Sequence, residues 1–175
     1  MDARTKQLKA IFDEILGPLD FSLKNNTWRR ALAEVVHIIK LEKARHWNAA
    51  FNLSCGVHVS IIEPEIAFEK TKPHIVWIDD KFFSPFSWPS PPPPLKRMSN
   101  EDRIELHDSL NMELDLTPEY RTQRIQAVLR TYVLPCLEAH STSEAVRECL
   151  KHRYSSSWPA CSAMPEYVEK ILSSS

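Results

Sequence analysis

Asn52, Ser54 and His58 stand at i, i+2 and i+6 of the segment 51–61. Successive strand side chains alternate faces, so all three share one face if the segment is a strand. Lys40 and Glu42 fall on the corresponding face of the preceding segment, 34–43. One arginine of the pair Arg29 and Arg30 joins them, and register decides which; Arg30 is taken as the candidate. An amide, a hydroxyl, an imidazole and cations on one sheet face suit a small polar ligand or a protein docking surface. A catalytic base needs an orienting partner within hydrogen-bond reach, and the spacing names none for His58. The plain alternative is an antiparallel sheet that turns one polar face to water or covers it with later helices.

Other constellations are thinner. Ile78-Asp79-Asp80-Lys81 resembles the acid-x-Lys element of metal-dependent nucleases, with Glu63 or Glu65 as the distant acid. Paired carboxylates there would hold Mg²⁺ while the lysine steadies the nucleophile. The same residues serve equally as a solvated turn in a chain that is not basic. His37, set among Val35, Ile39 and Leu41, reads as a core histidine with a satisfied nitrogen. The four cysteines, Cys55, Cys136, Cys149 and Cys161, contain no C-x-x-C pair. Cys149 with His152 is the nearest approach to zinc spacing, with only Cys161 beyond it, so the thiols read as structural. Neither a metal nor a cofactor is expected. No serine sits in a Gly-x-Ser-x-Gly elbow. Pro91 to Lys96 has the P-x-x-P-x-basic form but reads as a stiff spacer. Trp47, Trp77, Trp88 and Trp158 lie near loops or strand ends, as lids on the core or as contacts for a partner.

The elements that must position these residues are bounded first by composition. A chain of 175 residues fits one compact domain. It carries 22 Lys plus Arg against 23 Asp plus Glu, a formal net charge of -1, which argues against a basic nucleic-acid binder. Hydrophobic residues make up 43%, enough for a sizeable core and too many for a disordered chain. No apolar run reaches the roughly 18 residues of a membrane span, and no cationic, apolar leader opens the chain, so a cytoplasmic setting without membrane contact is expected. Two glycines against 13 prolines exclude a glycine-rich phosphate cradle.

Leu8, Ile11, Phe12, Ile15 and Leu16 recur at helical spacing over residues 3–16, and Gly17 then Pro18 stop that helix. The period then falls to two. Short strands are expected at 21–23 and 27–31 around an Asn25-Asn26 turn, followed by longer ones at 34–43 and 51–61 and a fifth at 74–79. Along 51–61, Phe51, Leu53, Cys55, Val57, Val59 and Ile61 form the packed face, with the first helix as its partner. Gly56, on the opposite face, marks a bulge or a close backbone approach. Residues 82–98 form a proline-rich connector, and 99–175 a helical part. Helices are expected at 100–114, at 118–134 with Thr117 as N-cap, at 142–151 behind a Ser141/Glu144 capping box, and at 165–172.

A helix, then Leu16-Gly17-Pro18-Leu19-Asp20-Phe21, Trp28-Arg29-Arg30, Val35-Val36-His37-Ile38-Ile39-Lys40-Leu41 and Phe51-Asn52-Leu53-Ser54-Cys55-Gly56-Val57 form a recognisable order. It resembles the bacterial family called domain of unknown function forty-three-oh-four, over roughly residues 5 to 62. A weaker echo follows in Val133-Leu134-Pro135 and the capped helix after it. Two positions depart from the family pattern. Asp20 stands where glycine is usual, which a left-handed backbone would tolerate. Leu41-Glu42-Lys43 lacks the usual glutamine, so no role of that residue carries over. The resemblance implies an α+β fold and a bacterial cytoplasmic protein, and it implies no activity.

The expected architecture is a single α+β domain: an antiparallel sheet of four or five strands, an N-terminal helix on its apolar face and a C-terminal helical layer. The expected function is a non-enzymatic protein-binding module, immunity-like or regulatory. The alternative is an enzyme or small-ligand binder using Asn52, Ser54, His58, Lys40 and Arg30; a metal-dependent nuclease comes third. Nothing in the sequence sets the oligomeric state.

Overall fold

Five apolar side chains at helical spacing put one stripe of α1 (Ala3–Leu16) into the core: Leu8, Ile11, Phe12, Ile15 and Leu16 are all buried. The computed structural model describes residues 3–44, 49–79, 98–155 and 166–173. After α1 a 3-10 turn, Gly17–Leu19, leads to Asp20 at φ 62°, ψ 22°. α1 therefore stops just ahead of Gly17-Pro18, as the sequence implies, but the left-handed position falls three residues later on Asp20, and no glycine has a positive φ. Phe21 N–H then closes back on Leu16 O at 3.2 Å.

The sheet is an antiparallel meander in chain order: β1 (Ser22–Lys24), β2 (Thr27–Ala31), β3 (Val35–Lys43), β4 (Phe51–Val59) and β5 (Ile75–Asp79). Asn25 and Asn26, at φ 53° and 59°, form the two-residue turn between β1 and β2, with the double positive φ that a type I′ hairpin requires. β4 ends at Val59, so Ile61 leaves the apolar face and is 59% exposed. The pairing of β4 with β5 slips between Cys55 and Gly56, the irregularity expected at that glycine.

One face of the sheet carries Trp28, Val35, Ile39, Leu41, Leu53, Cys55, Val57 and Val59, all buried. α1 docks on it through Phe12, whose ring stacks on Trp28 at 5.0 Å, while the Trp28 indole N–H donates to Asp13 Oδ1 at 2.6 Å. The C-terminal helices complete the layer: α2 (Asn100–Leu110), α3 (Pro118–Val128), α4 (Leu134–Glu138), α5 (Ser143–Ser155) and α6 (Glu166–Ser173). Their residues Leu106, Leu110, Ile125, Leu129, Leu137, Val146 and Val168 belong to the same core cluster as α1 and the sheet.

Three helix boundaries differ from expectation. α2 stops at Leu110, not at 114, where the buried Arg121 side chain donates to Ser109 O at 2.5 Å, Asn111 O at 3.1 Å and Leu114 O at 3.2 Å. The helix expected to end at Leu134 continues through α4, because a π turn at Leu129–Val133 widens the ladder just ahead of Pro135. Leu134 N–H there reaches Leu129 O, so the turn absorbs a proline that would otherwise break the helix. The Ser141/Glu144 capping box does not form. Thr142 Oγ1 accepts from Ala145 N–H at 3.2 Å, Ser141 turns back to Glu138 O at 2.7 Å, and Glu144 pairs with Arg147. The start of α5 also receives an anion from the bend between β2 and β3: Ser143 N–H and Oγ–H donate to Glu34 Oε2 at 2.8 and 2.6 Å, which pushes the Glu34 carboxyl below its usual range.

Candidate functional site

The β3–β4 register pairs Lys40 with Ser54, Glu42 with Asn52, Ile38 with Gly56 and Val36 with His58. Lys40, Asn52, Ser54 and His58 therefore do share the sheet face opposite α1. Arg30 does not. The β2–β3 register sets Arg30 opposite His37 on the helix-covered face, whereas Arg29, opposite Ile38, shares the face of the other four. Of the two arginines, it is Arg29 that joins the set.

That second face is divided along its length. At one end Lys40, Glu42, Asn52 and Ser54 are half-buried, with Lys40 ion-paired to Glu42. Toward the other end Val36, Ile38 and His58 are buried. The chain after β4 returns over this end: Arg29 donates to Thr71 O at 3.1 Å, and His58 Nδ1–H to Lys72 O at 3.0 Å. Four residues separate Ser54 from His58, about 13 Å along a strand. The imidazole therefore lies apart from the exposed amide, hydroxyl and ammonium, and the five candidates do not close on one pocket.

Arg30 and His37 make a separate buried cluster. An arginine only donates, so His37 Nδ1 accepts from Arg30 at 2.9 Å and its Nε2–H points to His140 O at 3.4 Å. Burial first, and the Arg30 guanidinium second, hold the His37 ring neutral, its pKa lowered to about 4. Arg30 continues to the Glu138 carboxylate of α4 and lies 5.0 Å over the Phe21 ring. This is a strut between sheet and helix, and His37 is the satisfied core histidine that its apolar neighbours imply.

A third group was not legible as a set. His58, near the end of β4, stacks on His74, just ahead of β5, with ring centroids 4.2 Å apart. Glu63, in the turn between them, accepts from His74 Nε2–H at 3.1 Å and has its Oε2 4.0 Å from His58 Nδ1. The Val59 N–H donates to His74 Nδ1 at 3.1 Å. His58 is held below the usual imidazole range by burial and then by His74, partly offset by the Lys72 carbonyl and Glu63. Glu63 entered the sequence reading only as a distant nuclease acid, and His74 only as a strand end. The one signal that could have joined them is cross-strand register: the Val57–Ile75 pair makes His58 and His74 neighbours.

The acid-x-Lys reading falls on Asp79, Asp80 and Lys81, whose side chains lie outside the described residues, as do Pro91 to Lys96, Trp47, Trp88, Trp158, Cys161 and the side chains of Trp77 and His152. Cys55 and Cys136 are buried thiols, and burial pushes Cys136 up to about 12, far from a nucleophile at neutral pH. Among the described residues no helix is long and apolar enough to cross a membrane. Searched against protein-family models, curated proteins and solved structures, the chain matches none.

Proposed function

We propose that the chain is a non-enzymatic protein-binding module, immunity-like or regulatory, whose partner docks on the half-buried end of the second sheet face. The observation behind this reading is the pair of adjacent cross-strand couples, Lys40 with Ser54 and Glu42 with Asn52, on two nine-residue strands. Strands hold such side chains at fixed spacing, so a partner pays little to order them. One cation, one anion, an amide and a hydroxyl together offer donors and acceptors suited to the polar part of an interface. The alternative of an enzyme or small-ligand binder on this face asks the same side chains to converge, and the register spreads them along the strand. The resemblance to the forty-three-oh-four family belongs to the same proposal as a statement of kinship.

The test uses the full chain and a Lys40→Ala, Asn52→Arg variant as parallel baits, with quantitative mass spectrometry of what each retains. A specific partner of the wild type should fall at least about tenfold on the variant, which should melt within a few degrees of wild type because both positions are half-exposed. If every protein held by the wild type stays on a folded variant, this face is not the docking surface.

A further inference from the structure

We propose that His58, Glu63 and His74 form a binding site for one divalent transition-metal ion of the zinc type, independent of the docking surface. Their ligand atoms all lie within 4.8 Å of one another. Donors around a tetrahedral zinc at 2.0 to 2.1 Å sit about 3.3 Å apart. The gaps from Glu63 Oε2, 3.1 Å to His74 Nε2 and 4.0 Å to His58 Nδ1, straddle that spacing. Two imidazoles and one carboxylate leave a fourth position for water, and Glu63, its side chain 46% exposed, opens that position to solvent.

The fold keeps the two histidines side by side without the ion, but their rings are stacked with planes 26° apart, so both must tilt to aim a nitrogen at one shared ion. His58 belongs to β4, and the His74 ring is packed between His58 and Tyr167 of α6, at 4.2 and 5.7 Å. Glu63, on the turn, is the arm that closes. Protons occupy the site now: His58 Nδ1–H donates to Lys72 O, and His74 Nε2–H to Glu63. On binding, each ring moves its single proton to its other nitrogen, so two neutral histidines remain neutral and no redox or covalent step is involved. His58 gives up Lys72 O, and His74 gives up the Val59 N–H that now donates to its Nδ1. Those lost hydrogen bonds, and the open fourth position, make the site weaker than a closed structural zinc site. Imidazole nitrogen also selects zinc-type ions over Mg²⁺ and Ca²⁺, which prefer oxygen.

The full chain, stripped with EDTA, is titrated with Zn²⁺ against a chromophoric chelator. One equivalent per chain is expected, weakened at least about tenfold by Glu63→Gln and lost in His74→Ala, with 1 mM Mg²⁺ unable to compete and His107→Ala, on α2, without effect. Glu63→Gln is nearly isosteric at an exposed position, so its circular dichroism should match wild type and the result reads on binding alone. Absence of stoichiometric Zn²⁺ on the wild type overturns the proposal. So does unchanged affinity in folded Glu63→Gln and His74→Ala, or displacement by Mg²⁺.

Discussion

His37 shows how a sheet can bury an ionisable side chain and make stability depend on pH. In the unfolded chain the ring takes its proton near 6.5; in the folded chain burial and Arg30 delay that to about 4. The depressed folded value means that its contribution is complete above about 6.5 and is lost progressively as pH falls toward 4, by on the order of 3 kcal/mol at most. The buried His58 and His140 are lowered too, with the same sign. An NMR titration should therefore find the His37 Cε1 proton shifting with a midpoint below 5; a midpoint near 6.5 would mean that the ring is neither buried nor faced by Arg30. The same residue marks what could be read in advance. Its apolar neighbours Val35, Ile39 and Leu41 announced a core position, since period two is visible in one strand alone. Its partner Arg30 did not show, because a one-residue change in the pairing of β2 with β3 exchanges Arg29 and Arg30 between faces. Glu63 and His74 were hidden for a related reason: their meeting depends on a turn and a cross-strand neighbour, neither of which has a residue-type signature.

At the scale of elements, periodic segments were legible and their ends were not. The alternation along β3 and β4 and the stripe of α1 are repeated many times over, so one exception does not blur them. Ends depend on single side chains from elsewhere in the chain. Arg121, on α3, is the clearest example: 3% exposed, it spends its guanidinium on the carbonyls that finish α2. No neighbouring acid is needed, because the carbonyls at a helix C-terminus carry partial negative charge and lack intrahelical donors. Arg121→Met keeps the apolar stem and strands those carbonyls, so it should cost about 2 to 4 kcal/mol in urea unfolding at neutral pH. Arg121→Lys should recover little of this, since an ammonium cannot span the positions that the fork of the guanidinium reaches. A loss below about 0.5 kcal/mol in Arg121→Met would show that water satisfies the end of α2 as well as the arginine does.

The whole molecule rests on a mismatch of widths. Five strands spaced about 4.8 Å apart present a face about 19 Å across, whereas one helix with its side chains covers about 10 Å. α1 alone therefore leaves about half of the apolar face bare, and the chain closes it with residues more than fifty positions further on. Leu106, Leu110, Ile125, Leu129, Leu137 and Val168 share one core cluster with Leu8, Phe12, Trp28, Leu53 and Val57. The meander itself is local, each strand pairing with its sequence neighbour, but a sheet with one uncovered apolar face lacks the burial that offsets the entropy of ordering it. A fragment ending at residue 79 contains α1 and all five strands and should nevertheless fail to fold alone. Its amide proton spectrum should be poorly dispersed, its thermal melt should show no cooperative transition, and it should bind a hydrophobic dye that the full chain excludes. A cooperative melt in that fragment would show that α1 suffices as a cover, and the helices beyond residue 98 would then be an addition to a finished core and not half of it.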